Sequence, residues 1–142
     1  MKMTLSRYID KRLGGVQGEI PQLKQMLRKS FTATTFRTFW FYWNPIYSYV
    51  LTYYVYRPLK RYMPQRLARI LTFIINGVFH DIVVSLVLGR LFYGVSLLFM
   101  TYIVLLHIEE LFGLQIENKF LAILYNIILL LGPFLGVMYF IN

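Results

Sequence analysis

The sequence predicts an all-α membrane protein: about three transmembrane helices preceded by an interfacial amphipathic helix and a broken, re-entrant helical segment. Three observations lead there. The 142 residues are 58% hydrophobic with a mean hydropathy of +0.55, too apolar for an ordinary soluble domain. Three segments of about 20 residues are long and apolar enough to cross a hydrocarbon core at 1.5 Å rise per residue. Between residues 19 and 31 the apolar side chains recur at three- and four-residue steps.

In chain order, residues 1–18 read as a mobile basic lead that ends in the breakers Gly14, Gly15 and Gly18. From Glu19 to Phe31, Ile20, Leu23, Met26, Leu27 and Phe31 form one apolar stripe, with Lys24, Arg28 and Lys29 largely on other faces. That pattern suits a helix lying on a membrane surface. Residues 37–56 hold the aromatic run "FWFYWNPIYSYV". Pro45 removes a backbone donor and disfavours helix at Asn44, so the segment reads as two short helices around a break. A full crossing here would also put the basic N-terminus and the basic loop Arg57, Lys60, Arg61, Arg66 and Arg69 on opposite sides, against the positive-inside tendency. Tyr49, Tyr53 and Tyr56 suit headgroup depth. Residues 70–89, 91–112 and 120–141 are the three spans, running out, in, out from a cytoplasmic N-terminus. The domain reading is 1–36 for the lead and amphipathic helix and 37–142 for the membrane-embedded part.

Charge is divided unevenly. Residues 1–69 carry 13 Lys and Arg against 2 acids, and 70–142 carry 2 against 4. Beside so apolar a second half, the basic half fits an anionic leaflet; no recognition motif accompanies it, and nucleic acid is not an expected partner. The absence of Cys rules out disulfides, thiolate catalysis and cysteine metal sites.

Polar groups inside a span are expensive and tend to mark function. The first span contains Asn76, Gly77, His80 and Asp81. His80 lies near mid-span with Asn76 one turn before it on the same face. A neutral imidazole there accepts a proton from a hydroxyl, or alternatively only bonds a neighbouring helix and fixes packing. Asp81, about 100° away around the helix, suits orienting a neighbour or facing an aqueous cavity. His107 and Glu110 share a face near the end of the second span, where water can solvate them and Glu109. Two groups make a poor metal site, and no metal is expected.

The blocks "ATTFRTFWFYWN" (33–44), "YVYRPL" (54–59) and "FIINGVFHD" (73–81), in that order, resemble the membrane-bound O-acyltransferase (MBOAT) family, as its C-terminal catalytic part in a much shortened chain. The resemblance covers roughly residues 30–90. Phe41 and Tyr42 stand where bacterial members usually have an arginine pair, and Asp81 where Gly or Glu is common. The resemblance implies transfer of an acyl group from a thioester, acyl-CoA or an acyl carrier protein, to a hydroxyl, with no cofactor beyond that co-substrate. It implies His80 as general base and Asn44 as the group that positions the donor or steadies charge on its carbonyl oxygen. Substrate contacts would come from Trp40, Trp43, Asn76, Asp81 and Arg37, with Arg57, Lys60 and Arg61 attracting the donor's phosphates. Expected partners are membrane lipids, the acyl donor, and a second copy or a larger membrane subunit, because three spans alone are few to enclose both substrates. The expected location is a bacterial inner membrane. The alternative function is a non-catalytic membrane subunit that packs against a larger partner.

Overall fold

The computed structural model describes residues 2–141. Its elements are α1 (Leu5–Leu13), α2 (Glu19–Phe31), α3 (Phe36–Tyr42), α4 (Pro45–Val50), a π-helical segment (Leu51–Tyr56), α5 (Arg57–Tyr62), α6 (Gln65–Leu88), α7 (Gly94–Phe112) and α8 (Lys119–Ile141). No strand occurs among the described residues. The helices α6, α7 and α8 are long and apolar enough to cross a membrane, with mean hydropathies of 2.0, 1.7 and 2.3. Their outer faces expose Val83, Leu86, Val87, Leu131 and Leu135, side chains that hydrocarbon solvates well.

The basic lead is more ordered than its composition suggests. Thr4 caps α1 by accepting from the Arg7 N–H, and Tyr8 and Leu13 are buried. Tyr8 Oη meets Ser48 Oγ at 3.2 Å and Thr52 Oγ1 at 3.1 Å, which holds α1 on α4 and the π segment. Four charged and two hydroxyl side chains among nine residues mask the helical spacing of Leu5, Tyr8, Ile9 and Leu13. Contacts of α1 with α4, and of α2 with α3 and α8, cross the boundary at residue 36.

The α2–α3 turn is pinned from both sides. Asn126 on α8, fully buried, donates through Nδ2 to the Phe31 and Ala33 carbonyls at 3.1 and 2.8 Å. Glu109 on α7 accepts from the Phe36 N–H, from the Arg37 N–H at 3.1 Å and from Tyr125 Oη at 2.9 Å. Glu109 is thus buried and engaged, where the sequence suggested a water-solvated carboxylate. Its charge offsets the positive end of α3, and the three donors replace the hydration it loses.

The break falls at Trp43–Asn44. Asn44 takes a left-handed conformation, φ 41°, and its Oδ1 accepts from the Tyr47 N–H at 3.1 Å, capping α4 with Pro45 in the first helical position. Helix then continues without interruption from Pro45 to Tyr62, so Arg57, Lys60 and Arg61 lie on α5 and not in a loop. Within that run the backbone widens to π geometry just before Pro58, which has no N–H to give and crowds the carbonyl of Tyr54 four residues back. Only Met63 and Pro64 separate α5 from α6, which begins at Gln65 and takes Arg66 and Arg69 into its first turns.

The helices α6 and α7 pack closely. A Cβ on Gly77 would come within 2.8 Å of the Ser96 Cα, so only glycine permits this approach. One turn on, both carboxylate oxygens of buried Asp81 accept backbone N–H groups at the start of α7, from Val95 at 2.8 Å and Ser96 at 2.9 Å. The core lies behind this seam, where Phe36, Phe39, Phe99 and Tyr102 pack with Trp40 and Phe73.

Candidate active site

A cavity of about 710 Å³ lies between α6 and α7 on one side and α3, the Asn44 break, α4 and the π segment on the other. Its lining on α6 begins at Gln65, Arg66 and Arg69 and ends at Asn76 and His80; on α7 it begins at Glu110 and His107 and ends at Phe99. The cavity is therefore a trough about 22 Å long, fifteen residues of helical rise, basic at one end and aromatic at the other.

His80 is the last α6 residue in the lining. Its Nδ1 lies 2.8 Å from the Asn76 carbonyl oxygen, and because a carbonyl only accepts, Nδ1 carries the hydrogen. In the neutral ring this tautomer keeps the lone pair on Nε2. The ring sits edge-on to Tyr47, with centroids 5.5 Å apart, and stacks on Phe99 at 5.9 Å. Burial pushes the Tyr47 phenol up from its ordinary value, so it stays protonated at neutral pH.

Asn44 lines the same trough. Capping occupies its Oδ1, which fixes the amide plane and leaves Nδ2 as a donor with no hydrogen-bond partner among the described residues. Trp40, Trp43, Asn76 and Arg37 also line the cavity. Trp40 Nε1 and Asn76 Oδ1 are buried, a donor and an acceptor with no partner among the described residues. Arg37 reaches Glu110 Oε2 at 2.6 Å in a half-exposed ion pair.

Four residues expected at the substrate stand elsewhere. Asp81 spends both oxygens on the α7 N-terminus and is outside the trough lining. Arg57 stacks over the Tyr53 ring at 4.1 Å, and neither it nor Lys60 and Arg61, which follow it on α5, is in the lining. The trough's cations are instead Arg12, Arg37, Arg66 and Arg69, against the single carboxylate Glu110. Arg66 and Arg69 belong to the basic cluster the sequence shows. Arg12 carries no local signal: it comes from α1, lies between the rings of Tyr8 and Phe41, each 4.3 Å away, and donates to the Phe41 carbonyl, Ser48 Oγ and Tyr8 Oη. Burial pushes this guanidinium below its usual value, opposed by Tyr8. Phe99 was also unforeseeable locally, since only tertiary packing brings α7 against His80. Tyr47, three residues after Asn44, is the position an Asn cap would address.

Three helices long and apolar enough to cross a membrane, with a trough let into their side, define a helical integral-membrane protein. Residues 21–141 match the model of the MBOAT, membrane-bound O-acyltransferase family, and the chain belongs to that family. A comparison with curated proteins found no match, and neither did one with solved structures. Family membership suggests membrane O-acyltransferase activity.

Proposed function

We propose that this protein transfers an acyl group from a thioester donor, acyl-CoA or an acyl carrier protein, to a hydroxyl, with His80 as general base. The observation that carries the proposal is that His80 and Asn44 line one trough, each with its second polar atom fixed by backbone and its reactive atom unoccupied. The acceptor oxygen attacks the thioester carbonyl as His80 Nε2 takes the hydroxyl proton. Asn44 Nδ2 donates to the carbonyl oxygen as it gains negative charge. The C–S bond then breaks, the C–O bond of the ester remains, and the imidazolium returns its proton to the leaving thiolate. Arg37, Arg66 and Arg69 at the other end attract the donor's phosphate, and Trp40, Trp43 and Asn76 line its path.

The proposal extends to location: this integral membrane protein belongs to a bacterial inner membrane with its N-terminus cytoplasmic, a reading supported by the positive-inside tendency of its basic first half. The exposed Ile20, Leu23 and Leu27 of α2 rest on the leaflet, and the neighbouring cations face its anionic headgroups. A second copy or a larger membrane subunit covers the open side of the trough.

The test offers a labelled acyl thioester to membranes containing the parent, His80→Ala or Asn44→Ala. His80→Ala should lower transfer by about 10²–10⁴-fold and Asn44→Ala by about 10²–10³-fold. Undiminished transfer by His80→Ala rules the mechanism out.

A further inference from the structure

Asn44 holds a backbone conformation that needs support from outside the turn. It is the one non-glycine residue with positive φ among the described residues, and the following Pro45 favours extended backbone at the residue before it. Such a conformation persists where the surroundings over-determine it. The cap from Asn44 Oδ1 to the Tyr47 N–H binds the residue to α4, whereas its own N–H reaches only Met26 Sδ, a weak acceptor, at 3.3 Å. The tie across the break comes from α1. Arg12 Nη1 donates to the Phe41 carbonyl, three residues before Asn44, and to Ser48 Oγ, four residues after it, at 2.9 Å. Arg12 Nη2 donates to Tyr8 Oη, which also meets Ser48 Oγ and Thr52 Oγ1. Just ahead of α1, the Met3 N–H donates to Tyr53 Oη at 3.0 Å, and the Met3 carbonyl accepts from Tyr49 Oη at 2.8 Å. Both ends of α1 are thus fastened to residues 41–53. Among the described residues α1 packs on α2, α3 and α4 and on none of the three long helices, and it precedes residues 21–141, the stretch that matches the family.

We propose that Arg12 is a positioning residue for the acyl transfer: by joining Phe41 to Ser48 it holds the Asn44 turn, and through that turn it aims Asn44 Nδ2 at the thioester carbonyl oxygen. This inference rests on the acyl-transfer reading. A guanidinium suits the task because its donors diverge in one rigid plane, so a single side chain grips acceptors on both sides of a break. A hydrogen-bond donor stabilises developing charge best when it is already in place. A turn released from α1 spreads Nδ2 over many orientations and loses that advantage. Arg37, Arg66 and Arg69, which attract the donor's phosphate, are not bonded to Arg12, so its loss falls on the rate and not on donor binding.

The experiment offers labelled acetyl-CoA or palmitoyl-CoA to membranes containing the full chain, whose own hydroxyl compounds serve as acceptors, and refers rates to folded protein. Arg12→Ala should lower kcat about 10-fold or more while KM for the thioester moves less than about threefold. The double variant Arg12→Ala, Asn44→Ala should be no slower than Asn44→Ala alone, because nothing is left to position. Lys11→Ala, which removes the neighbouring exposed charge on α1, should stay within about twofold of the parent. A readout free of turnover is amide exchange in mild detergent: in Arg12→Ala the Tyr47 and Ser48 N–H groups, both held by Asn44, should exchange about 10-fold faster, with α6 unchanged. Tyr8→Phe keeps the ring and loses the shared hydroxyl; it should show the same kcat loss in smaller measure and serves if Arg12→Ala does not accumulate. An unchanged kcat, a change confined to KM, a double variant slower than Asn44→Ala by the full Arg12→Ala factor, or unchanged exchange at Tyr47 and Ser48 overturns the positioning role and leaves acyl transfer standing. Transfer of neither acyl group by the parent, or transfer that survives both His80→Ala and Asn44→Ala, overturns both.

Discussion

Replacing Asp81 separates a structural carboxylate from a catalytic one. Its two oxygens hold the Val95 and Ser96 N–H groups at 2.8 and 2.9 Å in a seam where the side chain is 7% exposed. Hydrogen bonds to a charged group contribute about 1.5–3 kcal/mol each, and donors left unpaired in a dry seam cost about 1–3 kcal/mol each. These overlap and do not add, and the favourable placement of a negative charge at a helix N-terminus adds at most about 1 kcal/mol. Asp81→Ala should therefore destabilise the protein by about 3–5 kcal/mol, and Asp81→Asn, which keeps one acceptor, by about half as much. Denaturation of the purified protein in mild detergent, followed by loss of helical signal, measures both. Transfer activity per folded molecule should stay within about fivefold of the parent in Asp81→Asn, because the carboxylate lies outside the trough lining. Parental stability in Asp81→Ala refutes the capping geometry. A hundredfold loss of activity in a stably folded Asp81→Asn refutes its separation from the chemistry.

The other predictions rest on single contacts. Gly77→Ala forces a methyl group against the Ser96 backbone and should cost about 1–3 kcal/mol in the same denaturation; an unshifted midpoint contradicts the close approach of α6 and α7. Glu109→Ala leaves the Phe36 and Arg37 N–H groups and Tyr125 Oη without their acceptor and should cost about 3–5 kcal/mol, with Glu109→Gln recovering part of it. Arg12→Ala removes the link between the Phe41 carbonyl and Ser48 across the Asn44 break. Protease cleavage at Gly14–Gly15 should then accelerate about tenfold or more, and parental resistance would show that α1 is held by other contacts.

The parts legible in the sequence were those governed by period and by solvent. Twenty apolar residues have one solution in a bilayer, so α6, α7 and α8 were readable to within a few residues, and Pro45 with its preceding Asn marked the break. Blocks of the MBOAT type brought His80 and Asn44 forward as a pair before any contact was known. What could not be read depends on contacts far apart in the chain. Asp81 and Glu109 looked like exposed or functional acids until the partners Ser96 and Phe36, remote in sequence, arrived to occupy them. Arg12 lies in a stretch whose charge hides a nine-residue helix. The basic residues nearest the aromatic run, Arg57, Lys60 and Arg61, drew attention by proximity, yet none of them lines the trough, and Arg66 and Arg69, beyond the Met63–Pro64 break at the start of α6, do.

The helix break and the imidazole of α6 line one hollow, and Tyr47, capped onto Asn44 and edge-on to His80, is the contact that reports it. With no native cysteine, Tyr47→Cys combined with His80→Cys can be joined in membranes by a short water-soluble bifunctional thiol reagent. Rapid coupling within one chain is the expected result. Cysteines that each react with a monofunctional reagent but never couple, or a position 80 that only a lipid-soluble reagent reaches, would contradict it.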